Sequence, residues 1–346
     1  TSSIMIGDAT TGTIDAANYN VGLGVDVFAA LTQGDSNIAI GFAALTATNT
    51  GSDNIAIGNS AGNAITSSGK NVIIGNDAGR GLSTQTGQCV YVGNLAGNTG
   101  TGNQCVGIGE QALESGNHGD GNVAIGWSAG EDLTGVSNVF IGAEAGREAT
   151  SADQNTVVGF QACNTNVMTG DDNTVVGATA GQDITSGELN TIMGRSAAAN
   201  LTTASNCTYI GSYAGFAHAS SYGTGDNNVA VGRDSMLSIT SSAGNTCVGK
   251  DSGRSLTTGS DNVFIGMDAG DTETDGSDNL CIGKNCDVQA TGSGSRIGIG
   301  NDLTLTTNNT AYIGVGGNNI SSLFAGGSSW SWTSDERLKK NINTDT

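Results

Sequence analysis

The sequence predicts an all-β chain, a parallel β-solenoid or β-roll of about 19 coils with a repeat of about 17 residues. Three observations lead there. A phrase of the form Asn-apolar-x-apolar-Gly recurs along nearly the whole chain, as in Asn54-Ile55-Ala56-Ile57-Gly58, Asn71-Val72-Ile73-Ile74-Gly75 and Asn262-Val263-Phe264-Ile265-Gly266. Its closing glycine returns 19 times between Gly7 and Gly314, and the residue before it is apolar in all 19 cases. Composition argues against helix, with 56 Gly, few Leu or Lys and β-branched residues in the repeated apolar places.

Each position of the phrase has a physical reason. Apolar residues three and one before the glycine alternate with a variable one, which is the period of a half-buried strand. On this reading the interior is a ladder of Ile, Val and Ala. The variable residue (Ala39, Tyr91, Phe140, Tyr209, Phe264) then faces either a partner chain or solvent, and both orientations stay open. The glycine permits a positive φ or a close backbone approach where the chain leaves the strand. Four residues before it stands Asn in 13 coils and Cys89, Cys105 or Cys207 in three. Ala follows three residues after it in 12 coils and forms, with a second Gly, a narrow corner. Asp, Asn, Ser, Thr and Gly fill the intervals as turn residues. So short a unit cannot bury its own apolar face, and it needs neighbours stacked about 4.8 Å above and below. Nineteen such coils predict a rod of roughly 90 Å.

Along the chain, residues 1–30 carry two degenerate coils around Gly7 and Gly24. Val27 and Phe28 there are large enough to close an end, as terminal repeats do, unless further coils precede Thr1. Residues 31–316 form the repeat rod. One interval is longer: Gly211 to Gly232 spans 21 residues and holds Phe216, His218 and Tyr222. An insertion in a solenoid emerges on one face, either as a tolerated loop or as a binding loop, so these three are the binding candidates. After Gly283 the phrase decays, with Arg296 in the Asn place and a last step of 14 residues. Residues 317–333 read as a connector. In 334–346 the character changes: Trp330 and Trp332 precede Ser334-Asp335-Glu336-Arg337-Leu338-Lys339-Lys340-Asn341-Ile342, a good N-capped helix start.

Composition bounds the function. The net charge of −20 repels phosphate backbones, so no nucleic-acid partner is expected. Most acids read as solvated turns. Asp53, Asp172, Asp261 and Asp278 directly precede the Asn, where a short polar side chain tolerates a left-handed turn. Carboxylates at such turns are calcium ligands, but the nonapeptide of calcium-binding β-rolls is absent, and the expectation is no metal and no cofactor. Seven cysteines without a Cys-x-x-Cys pair read as buried thiols replacing Asn or Ala, with Cys89 and Cys105 stacked one coil apart. That pattern suits assembly in a reducing cytoplasm. No 18-residue apolar run and no basic-then-apolar leader occur, so no membrane insertion is expected. His118 and His218 lie in unrelated turns and read as surface residues rather than bases. A uniform coil offers no unique pair of carboxylates, and no Walker loop or zinc spacing is present, so no enzyme is expected.

Two resemblances follow from these residues. The Ser334–Ile342 run resembles the opening of the C-terminal intramolecular chaperone of endosialidase-type tailspikes and many phage tail fibres. The resemblance implies trimerisation guided by the chaperone, then self-cleavage at Ser334-Asp335, with Ser334 as nucleophile and Lys339 as the amine that takes its proton. It covers about 13 residues and implies that the chain holds only the start of the chaperone, inactive without its downstream part. The Asn-apolar-x-apolar-Gly repeat is similar to the head of YadA-type trimeric adhesins, a left-handed parallel β-roll with a shorter repeat, nearer 14 residues. Both resemblances imply a homotrimer. The expected function is the structural and host-binding segment of a trimeric phage tail fibre, made in the host cytoplasm and carried on the virion, with a cell-surface receptor, glycans included, as partner. The alternatives are a bacterial trimeric autotransporter-like adhesin, which predicts heptads soon after residue 320, and a polysaccharide depolymerase.

Overall fold

A computed structural model describes residues 3–7, 16–82, 87–115, 117–217, 222–288, 294–323 and 331–332. They fall into two compact units, Thr1–Glu188 and Leu189–Thr346, each a parallel β-solenoid. There is no helix among the described residues. In the first unit eleven strands of three residues follow one another: Ile4–Ile6, Val21–Leu23, Ile38–Ile40, Ile55–Ile57, Val72–Ile74, Val90–Val92, Val106–Ile108, Val123–Ile125, Val139–Ile141, Thr156–Val158 and Thr174–Val176. Each pairs in parallel and in register with the next, as Ile38 with Ile55 and Ala39 with Ala56. The second unit repeats the scheme in Thr191–Met193, Thr208–Ile210, Val229–Val231, Thr246–Val248, Val263–Ile265, Leu280–Ile282 and Ile297–Ile299. Its last parallel partner is Thr310–Val315, which turns at Gly316-Gly317 into the antiparallel strand Asn318–Leu323. Ser331–Trp332 adds antiparallel to that strand.

Inside and outside are the reverse of the sequence expectation. The middle residue of each strand points inward: Ala39, Tyr91, Phe140, Tyr209 and Phe264 are fully buried, and are neither partner nor receptor contacts. The Ile and Val on either side point outward and remain half-exposed. A three-residue strand with alternating side chains can give the interior either two places or one. The coil is too narrow for two β-branched side chains, because the buried Ala and a third inward residue, such as Ile65 or Leu256, already occupy its other sides.

Volume is matched within this narrow interior at a spacing of six residues. Where the strand centre is large, a glycine stands six residues on. A β-carbon on Gly97 would lie 2.3 Å from the Tyr91 ring, and one on Gly215 would lie 2.3 Å from the Tyr209 ring. In four coils with a small strand centre the sixth residue is large, and Gly22, Ala39, Gly107 and Ala230 are answered by Phe28, Leu45, Leu113 and Met236. In Ala56 with Gly62 and Ala124 with Gly130 both are small, and Leu45 and Ile73, or Leu113 and Phe140, of the adjacent coils fill the space. Phe28 therefore fills the space beside Gly22, 3.1 Å from where its β-carbon would be, and serves its own coil. Those four answering residues all have φ between 48° and 56°, a left-handed backbone that costs a non-glycine residue about 1–2 kcal/mol. Packing outweighs local preference there.

Two ladders hold the stack. Each anchor glycine has φ between 130° and 156°, and in Gly142 an added β-carbon would sit 2.4 Å from the Gly159 carbonyl oxygen of the next coil. The repeated Asn forms the second ladder. In Asn54, Nδ2 donates to Asn37 Oδ1 at 3.1 Å and to the Ser68 carbonyl at 3.0 Å. Its Oδ1 accepts from the Asn71 backbone N–H at 3.2 Å and from Asn71 Nδ2 at 2.9 Å. Every donor and acceptor of the buried amide is thus used. The pattern recurs through Asn138, Asn155 and Asn173 in the first unit and Asn228, Asn245, Asn262 and Asn279 in the second.

Gly142→Ala should therefore cost more than about 4 kcal/mol, because both its φ and its contact forbid a side chain. Gly317→Ala, with open space around its α-carbon, should stay within about 0.5 kcal/mol of wild type. Amide hydrogen exchange across the coils from Val123 to Gly159 and thermal melting check the pair.

Candidate interaction surface

Turning the β-branched residues outward gives each unit an apolar strand face. One half-exposed side chain per coil continues along it, including Ile108, Ile125 and Ile141 in the first unit and Ile210, Ile265 and Ile282 in the second, at 36–38% exposure. A lone exposed apolar residue is ordinary, but a contiguous row is the mark of an interaction face. Within the first unit, Thr replaces Val or Ile at the leading place in Thr156 and Thr174, so this face becomes more polar along the chain.

Beside this face, the residue directly after each anchor glycine forms a second column. Successive coils join there through backbone bonds: Glu144 N–H donates to the Trp127 carbonyl at 2.7 Å, Gln161 N–H to that of Ala143 at 3.0 Å, and Thr179 N–H to that of Phe160 at 2.9 Å. In the first unit the column carries exposed Phe42, Trp127 and Phe160. In the second unit it carries Arg195, Arg233, Lys250 and Lys284. Two of those bases pair with the acid that follows them, Arg233 Nε with Asp234 at 2.9 Å and Lys250 with Asp251. Such exposed pairs contribute little to stability.

The longer interval enters and leaves at one point. A β-carbon on Gly223 would lie 3.3 Å from that of Ala217, and both ends bond to Asn200, which donates to the Phe216 carbonyl and accepts from Gly223 N–H. Phe216 is half-buried, edge-on to Tyr213 with centroids 5.3 Å apart, and Arg195 stands 5.2 Å over the Tyr213 ring. Tyr222 is exposed. Sequence reasoning missed Tyr213 and Arg195, whose partnership needs the coil-to-coil stacking to be visible. His218, and the cleavage pair Ser334 and Lys339, lie outside the described residues.

Several buried polar groups belong to the scaffold. All seven cysteines are buried thiols. Cys89 and Cys105 replace the ladder Asn, and their thiols donate to the Gly102 and Gly119 carbonyls at 3.4 and 3.3 Å, as the amide does elsewhere. Burial pushes the Cys163 and Cys247 thiols up to about 12, which keeps them protonated and unreactive. Glu273, also buried, accepts the backbone N–H groups of Thr274, Asp275 and Gly276 on a single carboxylate oxygen.

His118 departs from expectation, being fully buried rather than on the surface. Gly100 leaves the inward place of its coil empty, and the imidazole occupies it, 1.9 Å from where a β-carbon would be. Nε2 shares a hydrogen bond of 3.2 Å with the Tyr91 hydroxyl, while Nδ1 has no hydrogen-bond partner. The glycine at Gly100 was the available signal, since Leu or Ile holds that inward place in Leu31, Ile65, Leu82 and Leu133.

No family model matches the chain, and no curated protein matches it in sequence.

Burial pushes the His118 imidazole down to about 4 from its ordinary 6.5. A neutral imidazole favoured by folding stabilises fully above pH 6.5, and the contribution is lost as pH falls toward 4. The opening free energy of this coil should fall by about 3 kcal/mol across that window. Hydrogen exchange at pH 7 and pH 4 reads the change, and His118→Gln should flatten it.

Proposed function

We propose that this chain is the structural and host-binding segment of a trimeric phage tail fibre, matured by self-cleavage of a C-terminal chaperone. The observation that carries the reading is the outward apolar strand face. A row of half-exposed Ile and Val in each unit gains most by meeting the same row on a second and third copy. Each exposed Ile side chain so covered contributes part of the roughly 1.5–3 kcal/mol that full burial yields. The stacked coils supply many such contacts at small individual cost, which suits a fibre exposed to shear and protease.

The Ser334–Ile342 run supports the phage reading over the adhesin reading. An autotransporter-like passenger leads into heptads, whereas this chain leads into a chaperone-like start. Receptor contacts on this reading lie on the faces left uncovered by the trimer: Phe216 and Tyr222 at the longer coil, with Tyr213 and Arg195 beside them. Neither enzymatic turnover nor a cofactor is part of the proposal.

The test is expression from the full reading frame, as wild type and as Ser334→Ala, with intact masses under denaturing conditions and solution mass by light scattering. Wild type should end at Ser334 and run at three times its chain mass, and the variant should stay uncut. Ile125→Lys combined with Ile141→Lys should weaken the trimer. An uncut wild-type chain, or a monomer, overturns the reading.

A further inference from the structure

The column after the anchor glycines holds an arrangement that the trimer proposal does not use. In the first unit Trp127 and Phe160 stand two coils apart in that column, 47% and 54% exposed, and Ala143 lies between them. Their backbones are tied coil to coil: Glu144 N–H bonds the Trp127 carbonyl, Gln161 N–H bonds the Ala143 carbonyl, and Thr179 N–H bonds the Phe160 carbonyl. The separation of the two platforms is therefore set by the stacking of strands, about 10 Å for two coils. The backbone, not a flexible loop, sets this spacing.

Two large aromatic side chains left in water two coils apart, beside coils that enclose Tyr91 and Phe140, call for an occupant. Tyr91 and Phe140 of the same unit are fully enclosed, so the narrow interior accepts rings where glycines make room. At Trp127 and Phe160 the rings are outside, and the residue between them is reduced to a methyl group. The result is two shelves with a recess between.

We infer that Trp127 and Phe160 form a carbohydrate-binding track that takes a neutral, equatorially linked hexose polymer. An extended chain of such sugars advances by two rings over about the distance of two coils, so alternate rings fall on the two shelves. A hexose ring with equatorial hydroxyls has an apolar face of C–H groups that covers an aromatic ring and removes it from water. Its edge carries hydroxyls that need hydrogen-bond partners. Those are at hand in the adjoining position: Glu144 Oε2 accepts from Gln161 Nε2 at 2.8 Å and from Asn164 Nδ2 at 2.6 Å, which leaves its other oxygen for a sugar hydroxyl. Further along the column Asn76 and Asn94 present amides that already pair with each other at 3.3 Å, a polar floor of the kind a sugar edge meets.

Charge decides against an anionic polymer. Column residues of the first unit include Glu110 and no Lys or Arg, and the whole chain carries −20. A sulfated or sialylated chain would be repelled there, whereas a neutral one is not. Preorganisation favours binding: the backbone under both rings is fixed by the stack, so only their side-chain torsions are ordered when a ligand arrives.

The inference rests on the host-binding reading for its biological setting but not for its chemistry, and the experiment separates the two. Cellohexaose and chitohexaose are titrated into the protein by calorimetry, with wild type compared with Trp127→Ala, Phe160→Ala, the double variant and Phe42→Ala. At least one hexamer should bind, its disaccharide should bind at least tenfold more weakly, and each single variant at 127 or 160 should lose about tenfold. Phe42→Ala, five coils from Trp127, should change affinity less than twofold. Light scattering on the same samples reports the assembly. Absence of binding by both hexamers, or binding that survives the double variant, overturns the inference. So does dissociation of the assembly in Trp127→Ala, since the occupant is then a second copy of the chain. A cleaved trimer that binds neither hexamer fails this inference alone, and an uncut monomer that binds fails the tail-fibre reading alone.

Discussion

Everything in the coil depends on a column of buried asparagine amides. A primary amide has two donors and one oxygen that accepts twice, and in this stack all are filled by the coil before, the coil after and one turn carbonyl. An amide buried without such partners would cost about 1–3 kcal/mol for each group left alone. The same side chain is therefore costly in isolation and stabilising in a column, and it specifies register because a slip by one residue breaks every bond at once. Cys89, Cys105 and Cys207 show how far the rule bends. A thiol keeps one donation to the turn carbonyl, and Asn228 N–H still finds the Cys207 sulfur at 3.4 Å. At the far end Arg296 takes the place, its Nη1 donating to the Leu305 carbonyl and its backbone N–H to Asn279 Oδ1.

The repeat, its length and the parallel stacking were readable from the spacing of glycines, because backbone proximity at Gly142 or Gly159 leaves no room for another residue. Which side of the strand faced inward was not. Both flanks of Ala56 are isoleucine, and hydrophobicity alone assigns them to the interior. What decides the matter is the width of the coil, a property of two other corners and not of the strand. Pairs at spacing six carried the signal in other coils: Tyr91 with Gly97 and Gly107 with Leu113 make sense only if the strand centre and the later corner share one small volume, while Ala56 with Gly62 is filled from the adjacent coils by Leu45 and Ile73. His118 was missed for the same reason, since its burial answers a vacancy at Gly100 in the neighbouring coil.

The surface was partly readable as well. Phe216 and Tyr222 stood out because they interrupt a period, but Tyr213 and Arg195 lie within it and meet only through stacking across 18 residues. Trp127 and Phe160 likewise look like unrelated aromatics until the coils are superposed. In a solenoid, neighbours in space are neighbours in sequence modulo the period, so surface sites are columns, and a column is visible only after the chain has been folded on paper.

The in-register ladders also bear on how such a chain changes. Removal of one residue from the strand or its corner displaces an amide, a glycine or an inward side chain. The interval before the Asn absorbs such a change: Asn138 follows Asn122 by 16 residues and Asn173 follows Asn155 by 18, and the ladder is unbroken. Excision or duplication of a full period between equivalent glycines leaves every ladder continuous, because each coil offers its successor the same groups. Length is therefore the trait that recombination between repeats can alter in whole steps at little energetic penalty. A longer insertion leaves the coil at the Ala217–Gly223 junction, where the flanking residues come together. A protein built this way can lengthen or shorten its reach without redesigning any contact it makes.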